Sequence, residues 1–537
     1  MQAQTAVHDN QSRCPFAPAR EALEDLATEL RGKVALSMTH GEIERLIRSK
    51  GWEVLRRLMD GHVQLRGIGE VEGDAVVGSD GVERTHLRLH DRNLMTIFGP
   101  IPVWRQGYGQ RGTTSLHPLD ADLNLPPEEY SHGLQRFVGE QVANVSFDKT
   151  VEQVEQNTGA SVPKRQVEEL TVRAANDFES FYEERKAASA REARQTGAIN
   201  VITTDGKGVV VHQVDLRQAT RKEVEKRAAA QGDELFSLGL PKPPEPMRDG
   251  HKRMATVAAT YTITPFVRTP EEVIGELNRV RLVSAKRPRP EHKRVWASVV
   301  KGPEEVIPEA FEDALRRDPK RDKRWTAVVD GNETQINILE QQAKHHRVTV
   351  TIILDLLHVA LYVWKAAHVL NERGSHKAAE WVREHLLEIL RGKSSLVAAG
   401  MRRSATLREL PAKTREPVDA CADYLLKYAN YLRYHEYLAD GLPIASGVIE
   451  GACRYLVQDR MGITGAVWRL KSAEAVLKLR SLHTSEDFEE YWQFHERCER
   501  QRHHAGQYAE GDIPAVRRPE RRPAAKRARE CHLNLVP

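Results

Sequence analysis

The chain has 537 residues, which predicts at least three folding units, because a single hydrophobic core seldom serves so long a chain. Hydrophobic residues make up 40% and charged residues 29%, and no apolar run approaches the ~20 residues that span a bilayer, so the composition excludes a membrane-spanning protein and predicts a helix-rich, soluble one. The 80 basic and 76 acidic residues leave a net charge of only +4, and the five cysteines show no C-x-x-C spacing, so we expect a reducing compartment and neither a disulfide framework nor zinc.

The first part of the chain is predicted to be helical and then β-rich. Apolar and charged residues alternate at helical spacing within 1–67, which predicts two or three amphipathic helices. Short apolar runs broken by Gly, Asp and Pro indicate a small β-rich module over 68–130. Within it, 107–112 matches G-x-G-x-x-G, but no helix follows, so a basic loop is favoured over a dinucleotide site.

Residues 131–195 are predicted to contain a helix-turn-helix followed by a charged linker helix. Ser146 is a suitable N-cap for the first helix, and the break at 157–159 separates it from the second. The first turn of the second helix carries the residues that we expect to meet DNA bases and phosphates, namely Lys164, Arg165 and Gln166. An ordinary pair of antiparallel helices is the alternative, and the rest of the chain favours DNA binding.

From residue 196 onward, short apolar runs alternate with helical patterns. The predicted strands are 198–206, its hairpin partner 208–214, 253–266, 324–331 and 348–355. Three strands followed by helix, strand, helix and strand are the order of a ribonuclease-H-like core. The predicted fold class is therefore multi-domain α/β, with a ribonuclease-H-like catalytic domain at 196–490, an α-helical insertion at about 360–440, and helical and small β-rich DNA-binding regions before it.

Three acidic residues far apart in sequence are predicted to meet in one cleft. Asp205 and Asp330 each follow an apolar run and precede a glycine, which alone is typical of a turn. In the proposed core, however, their strands are adjacent and parallel, so both side chains emerge at one edge. Glu450 lies in a largely apolar helix and needs a partner or a metal, unless it forms an i,i+4 pair with Arg454. Such oxygen ligands suit a pair of Mg²⁺ or Mn²⁺ ions and not zinc.

Further residues are predicted to surround these acids. Asp355 and His358 form a D-x-x-H at the start of a helix. In one interpretation they support the metal ligands or contact DNA. In the other, Asp355 is a helix cap and His358 is a histidine with an internal partner. Basic and aromatic residues after the Glu450 helix, with the basic run 286–294, are predicted to line a phosphate channel. The residues in this group are Arg454, Arg460, Trp468, Arg469, Lys471, Lys478 and Arg480. The Trp468 ring either stacks on an unpaired base or lies in the core. The last segment, 491–537, is predicted to be a basic, partly disordered tail that touches DNA.

Four segments together resemble the insertion-sequence transposases of the ISKra-four family, which belong to the DDE superfamily. These segments are TTDGKG, VVDGN, DLLHVALYVWKAAH and GVIEGACRYLVQDRMGITGAVWRLKSAEAVLKLRSL. The similarity covers roughly 90–490 and is most specific in its last third. It implies that Asp205, Asp330 and Glu450 are the catalytic metal ligands. Where a cysteine pair is expected before PLD, this chain has Gly109 and Gly112, so a zinc knuckle is not expected.

The resemblance also implies partners and a function. The partners are double-stranded DNA, as terminal inverted repeats and as target, and further copies of the chain on that DNA. The implied function is Mg²⁺-dependent cleavage at the element ends and strand transfer into target DNA, in a bacterial cytoplasmic protein associated with the nucleoid. Two alternatives stay open: a ribonuclease-H-like nuclease that cleaves without strand transfer, and a non-catalytic DNA-binding regulator derived from a transposase, which would tolerate loss of the acids.

Overall fold

The computed structural model describes residues 14–73, 75–189, 196–218, 220–223, 252–277 and 286–518. Within these ranges the chain is mixed α/β, with more helix than strand and a five-stranded mixed sheet. It divides into two compact units. Unit 1 holds the described residues up to Asp177 and those from Glu489 onward, and unit 2 runs from Phe178 to Phe488. No helix in the described ranges is long and apolar enough to cross a membrane.

The N-terminal part of unit 1 combines seven described helices with two small antiparallel sheets. The helices are α1 (Ala17–Arg31), α2 (Lys33–Leu36), α3 (His40–Leu65), α4 (Pro118–Asp122), α5 (His132–Asn144), α6 (Phe147–Asn157) and α7 (Lys164–Ala174). The strands are β1 (Val76–Val77), β2 (Glu83–Arg84), β3 (His86–Thr96) and β4 (Gly99–Gly109), and β1 pairs with β2 and β3 with β4. An apolar cluster under the β3–β4 hairpin includes Leu94, Ile101 and Leu119, which are almost fully buried.

The two helices of the predicted helix-turn-helix are α6 and α7. The Ser146 hydroxyl accepts a hydrogen bond from the amide of Lys149 (3.2 Å), so α6 begins with the predicted cap. Between the helices, Gly159 packs against the turn of the β3–β4 hairpin, and a Cβ at this position would lie 2.4 Å from the carbonyl oxygen of Phe98. The close approach of the two backbones therefore requires glycine in this turn.

Unit 2 is built on a five-stranded sheet with the strand order β7-β6-β5-β8-β9. The strands are β5 (Ile199–Val210), β6 (Lys252–Ile263), β7 (Glu291–Ser298), β8 (Arg324–Val329) and β9 (Val350–Leu354). The central strand β5 is antiparallel to β6 and parallel to β8, while β6 is antiparallel to β7 and β8 is parallel to β9. The predicted adjacency and parallel direction of the first strand and the 324–331 strand are confirmed.

The predicted hairpin at Asp205 is wrong. Strand β5 continues through Asp205 and the two following glycines to Val210, and pairs along its whole length with β6, with Asp205 opposite Val257. Of the residues expected to form the second strand, 208–210 are the end of the first, and Gln213–Asp215 forms a short 3₁₀ helix. An Asp-Gly pair favours a turn only when no neighbouring strand pairs with it, and here β6 supplies that partner.

Strand β7, which lies at one edge of the sheet, starts inside the basic run 286–294. Its Arg294 is 6% exposed and forms an ion pair with Asp313 (3.3 Å), and its guanidinium lies 3.5 Å from the ring centre of Tyr182. A buried arginine with these partners cannot line a phosphate channel, so the prediction for this run is wrong at Arg294.

The helices of unit 2 cover the sheet and extend the chain beyond it. They are α8 (Phe178–Ser189), α9 (Pro270–Leu277), α10 (Pro303–Arg317), α11 (Glu333–His346), α12 (Leu356–Leu370), α13 (His376–Leu390), α14 (Ser394–Leu407), α15 (Ala412–Lys427), α16 (Tyr434–Ala439), α17 (Gly447–Ala452), α18 (Asp459–Met461) and α19 (Leu470–Thr484). A π-helical segment, Cys453–Gln458, joins α17 to α18. The segment predicted as a helical insertion, 360–440, is therefore formed by α12 to α16.

The last described α-helix, α20 (Phe488–His503), returns the chain to unit 1. Tyr491 and Trp492 are almost fully buried, and Tyr508 joins an apolar cluster with Val71 and Val76. The first part of the predicted tail is therefore packed at Tyr491, Trp492 and Tyr508, and Tyr508 is covered by apolar partners more than 400 positions earlier in the chain. The rest of the predicted tail, 519–537, lies outside the described residues.

Candidate active site

The parallel pairing of β5 with β8 places Asp205 beside Asp330. The last paired residues are Thr203 and Val328, and each aspartate comes two positions after its member of this pair. Adjacent strands lie about 5 Å apart, and residues at equal offsets in a parallel pair point to the same face of the sheet. The register of the sheet therefore brings together two carboxylates that are 125 positions apart in sequence.

Both oxygens of the Asp205 carboxylate have donors in unit 2. The amide of Gly206 donates to Oδ1 (2.6 Å), and the Cys453 thiol donates to Oδ2 (3.3 Å). Burial raises the pKa of Asp205 above its usual range and the charge of Asp330 adds to the rise, whereas the two donors and His358 act in the opposite direction. The protein thus holds an aspartate in a place that disfavours its negative charge.

Asp330 lies in the short connection between β8 and α11. The amide of Asn332 donates to its Oδ1 (2.9 Å), and Asn332 in turn caps α11 by accepting from the amide of Gln335. The intervening Gly331 has a φ of +96°, a conformation that other residues adopt only with strain. The connection therefore turns sharply and keeps the Asp330 carboxylate at the edge of the sheet.

Glu450 reaches the same place from helix α17. Its neighbours Ile449 and Ala452 are buried, but Glu450 itself is exposed, so the expectation of a buried carboxylate is wrong for the side chain and right for the helix. The Arg454 side chain is 80% exposed and forms an ion pair with Asp459 (3.9 Å). The π-helical segment begins three residues after Glu450, and such segments occur frequently at functional sites.

Asp355 joins the end of the sheet to the start of the Glu450 helix. Its Oδ1 accepts from the amide of Leu357 (2.7 Å), which makes it the N-cap of α12. Its Oδ2 accepts from both the amide and the hydroxyl of Ser446, the residue that precedes α17. Asp355 is 6% exposed and has both oxygens engaged, so the cap interpretation is confirmed, and the same side chain also holds α17 against α12.

These residues line one cavity of about 200 Å³. Its lining comprises Thr204, Asp205, Asp330, Asp355, Leu357, His358, Leu361, Ser446, Ile449 and Glu450. The three predicted acids and both residues of the D-x-x-H motif are thus brought together. Among the described residues no arginine or lysine lines the cavity, so its four carboxylates face only one histidine there. Oxygen ligands in excess over positive charge are what Mg²⁺ or Mn²⁺ requires, and the residues present fit such ions.

Other predicted residues lie outside this cavity. Trp468 is 4% exposed and its ring nitrogen donates to the carbonyl oxygen of Met461, while the Arg460 guanidinium lies 4.9 Å from the ring centre. Trp468 is therefore a core residue, and the alternative of stacking on a base is wrong. Arg454 and Lys471 are exposed, and neither lines the cavity.

The three predicted DNA-binding residues lie at the start of α7. Lys164 forms an ion pair with Asp148 (2.8 Å), and Arg165 forms one with Glu169 (3.1 Å). Both basic side chains are at least half exposed, whereas Gln166 is half-buried. Exposed ion pairs contribute only about 0–1 kcal/mol, so neither acidic partner holds its basic side chain firmly.

Sequence reasoning did not predict the Cys453 contact or a second group of acids in unit 1. Cys453 follows Glu450 by three positions and so shares its helical face, which is the signal that was present. In unit 1, Asp177, His495 and Glu499 place possible ligand atoms within 4.8 Å of one another. Arg502 binds both carboxylates of this group, so its charge is compensated within the protein.

Comparison with known proteins adds no relative to this description. The chain matches no protein-family model, and no curated protein is significantly similar to it in sequence. The function is therefore inferred from the site itself.

Proposed function

We propose that the chain is a DDE-type transposase, which binds the ends of an insertion sequence, cleaves them and joins them to target DNA. The convergence of Asp205, Asp330 and Glu450 on one cavity carries the proposal. The strand order β7-β6-β5-β8-β9 and the helices before the Glu450 helix support a ribonuclease-H-like core with a helical insertion. The motif resemblance described above supplies the transposase family.

The acidic residues are suited to hold two Mg²⁺ or Mn²⁺ ions. Asp205 and Asp330 provide oxygens from adjacent strands, and Glu450 provides a further carboxylate from α17. The raised pKa of Asp205 reflects burial and the nearby Asp330 charge, a cost that a bound cation relieves. When bound, a pair of such ions activates the attacking oxygen and stabilises the leaving oxygen of a phosphodiester.

The chain's own hydroxyl groups in the cavity are already hydrogen-bond donors. Thr204 donates to the side chain of Gln335 (2.9 Å), and Ser446 donates to Asp355. This favours a reaction without a covalent protein–DNA intermediate. Water attacks the phosphorus at the element end and the 3′-oxygen leaves, and the freed 3′-hydroxyl then attacks a target phosphate, from which a target 3′-oxygen leaves.

Unit 1 would supply the recognition of DNA. Lys164, Arg165 and Gln166 at the start of α7 are placed as in a recognition helix that follows a turn. Joining requires that two ends meet, so we expect at least two copies of the chain to act on the DNA together. A nuclease of the same fold predicts cleavage without joining, and a regulator predicts binding without either.

The test is an end-cleavage and strand-transfer assay on labelled duplexes that carry the inverted repeats flanking the gene. With Mg²⁺, the wild-type protein should cleave and join them. Asp330→Asn should lose about a thousandfold in rate, on the order of 4 kcal/mol of transition-state stabilisation, because a metal ligand is lost. Binding to the ends should persist, since unit 1 is unchanged.

The matched control is Asp440→Asn, an exposed aspartate of unit 2 paired with Arg324 outside the cavity lining. It should cleave like the wild type. Cleavage without joining would support the nuclease alternative. Full activity of Asp330→Asn, or binding without any cleavage by the wild type, would reject the proposed function.

A further inference from the structure

The helical segment α12 to α16 contacts the backbone of the candidate site through a row of tyrosines. Four tyrosines follow one another at spacings of four, three and three residues, namely Tyr424, Tyr428, Tyr431 and Tyr434. Such spacing keeps side chains on one side of a helical stretch. Their hydroxyls donate to groups at or near the carboxyl ends of β8 and β9, or in α11.

Two of these hydroxyls bind the connection that carries Asp330. Tyr424 donates to the carbonyl oxygen of Asp330 (2.9 Å), and Tyr428 donates to the carbonyl oxygen of Gly331 (2.7 Å). Both tyrosines are buried, at 8% and 7% exposure. Loss of a buried donor leaves its carbonyl without that partner, so these bonds fix the backbone more firmly than exposed ones would.

The geometry of Gly331 fits this arrangement. A Cβ at Gly331 would lie 3.0 Å from the Tyr424 hydroxyl, so glycine gives the tyrosine room and also allows the positive φ. Because the Asp330 side chain starts from this backbone and receives a hydrogen bond from Asn332, the direction of its carboxylate follows from the path of the connection.

The tyrosines are themselves held by aromatic packing. Tyr424 stacks on Tyr362 of α12, with ring centres 4.2 Å apart and an angle of 11° between the planes. Tyr428 meets Tyr424 edge to face at 5.1 Å. Helix α12 also begins at the Asp355 cap and carries His358, so the aromatic stack joins two sides of the same cavity.

We propose that Tyr424 and Tyr428 are positioning residues that hold the Asp330 carboxylate in place for metal binding. The helical segment then serves the catalytic site directly, by clamping the backbone between β8 and α11. This inference rests on the proposed function, because the role of Asp330 as a metal ligand belongs to it.

The test compares Mn²⁺ binding and local hydrogen exchange in the full chain. The variant Tyr424→Phe/Tyr428→Phe removes both hydroxyls and keeps both rings, and Tyr431→Phe is the matched control, since its hydroxyl donates to Glu340 and not to the connection. Mn²⁺ binding is measured from the electron paramagnetic resonance signal of the free ion. We expect the double variant to bind Mn²⁺ about tenfold more weakly, as is typical when a group that orients a metal ligand is lost.

Exchange of the Gly331 and Asn332 amides should become faster in the double variant and stay unchanged in Tyr431→Phe. In the cleavage assay, the double variant should need more Mg²⁺ for half-maximal rate while its KM for DNA is unchanged, which a general loss of stability would not produce. If the double variant folds poorly, Tyr428→Phe alone should show the same pattern to a smaller extent.

Two results would overturn the inference while the proposed function stands. One is that the double variant binds Mn²⁺ as tightly as the wild type, while Asp330→Asn abolishes binding. The other is faster exchange with unchanged affinity, since the hydroxyls would then hold the connection without positioning the carboxylate. If instead the wild type binds no Mn²⁺ that Asp330→Asn removes, the metal site itself is rejected, and this inference with it.

Discussion

The chain contains two groups of carboxylates, and they differ in how their charge is balanced. In unit 1, Asp177 accepts from His495 (2.7 Å) and from Arg502 (2.5 Å), and Arg502 also binds Glu499. In unit 2, the carboxylates lining the cavity have neutral donors and one histidine around them, with no arginine or lysine among the described lining residues. Similar residue types therefore occur in opposite electrostatic settings.

The pKa shifts of the two aspartates express this difference. Burial acts to raise the pKa of Asp177, but His495 and Arg502 outweigh it and hold that pKa below its usual value. Burial also acts on Asp205, and there the charge of Asp330 adds to it, so the pKa of Asp205 is raised. A carboxylate group is a candidate metal site when the protein leaves its charge uncompensated, and the unit 1 group does not meet this condition.

Of the variants that test this contrast, the one that removes the compensating charge of Arg502 in unit 1 should change stability most. Arg502→Met should lower the free energy of unfolding of unit 1 by about 3 kcal/mol, because two buried acids lose their cation. The value lies at the low end for buried pairs, since the Arg502 side chain is 42% exposed. Hydrogen exchange of α20 and α5 amides measures the change within unit 1.

Arg500→Met is the matched control for this variant, since Arg500 is an exposed arginine on the same helix. It should change the stability of unit 1 by less than about 0.5 kcal/mol. Equal stability of Arg502→Met and the wild type would mean that Asp177 and Glu499 are not held by this charge, and the contrast between the two groups would be lost.

A pair of isosteric variants should shift stability in opposite directions. In EDTA at pH 7, Asp177→Asn should destabilise the protein by about 2 kcal/mol, because charge-assisted hydrogen bonds to His495 and Arg502 are weakened. Asp205→Asn should stabilise the metal-free protein by about 0.5 kcal/mol, because a like charge beside Asp330 is removed. Chemical denaturation of both variants measures these differences, and destabilisation by Asp205→Asn would contradict the uncompensated cavity.

The sequence was sufficient to predict the strands whose apolar runs end next to the acidic residues of the cavity. Strands β8 and β9 lie within the predicted 324–331 and 348–355, because each is a short apolar run bounded by polar or turn residues. The convergence of Asp205 and Asp330 followed from one assumption, that their strands are parallel neighbours, and the register bears it out.

Contacts between distant residues decided what the sequence could not. Strand β7 begins with charged residues, and contacts with Asp313, Tyr182 and Trp296 make Arg294 a core residue. In the sequence Tyr508 is part of the predicted tail, but in the structure it packs in an apolar cluster with Val71 and Val76. The Cys453 contact and the tyrosine bonds to the Asp330 connection likewise join segments about 90 to 250 positions apart, which no local pattern encodes.

The smallest expected effect is a difference in pH dependence between the two aspartates in EDTA. The pKa of Asp177 is lowered by folding, so its contribution to stability is present above its unfolded pKa of about 4 and is lost as the pH falls through the folded value. The pKa of Asp205 is raised by folding, so the folded protein binds its proton first, and stability rises as the pH falls from neutrality through that raised pKa towards about 4. The stabilising effect of Asp205→Asn should therefore shrink as the pH is lowered from 7 to 4, whereas the cost of Asp177→Asn should stay constant over this range. Urea denaturation of the wild type and both variants at several pH values measures the two profiles.

Saturating Mg²⁺ should reverse the effect of Asp205→Asn on the free energy of unfolding at pH 7, so that the variant becomes less stable than the wild type. The reason is that the bound cation makes the charged carboxylate the favoured form in the folded protein.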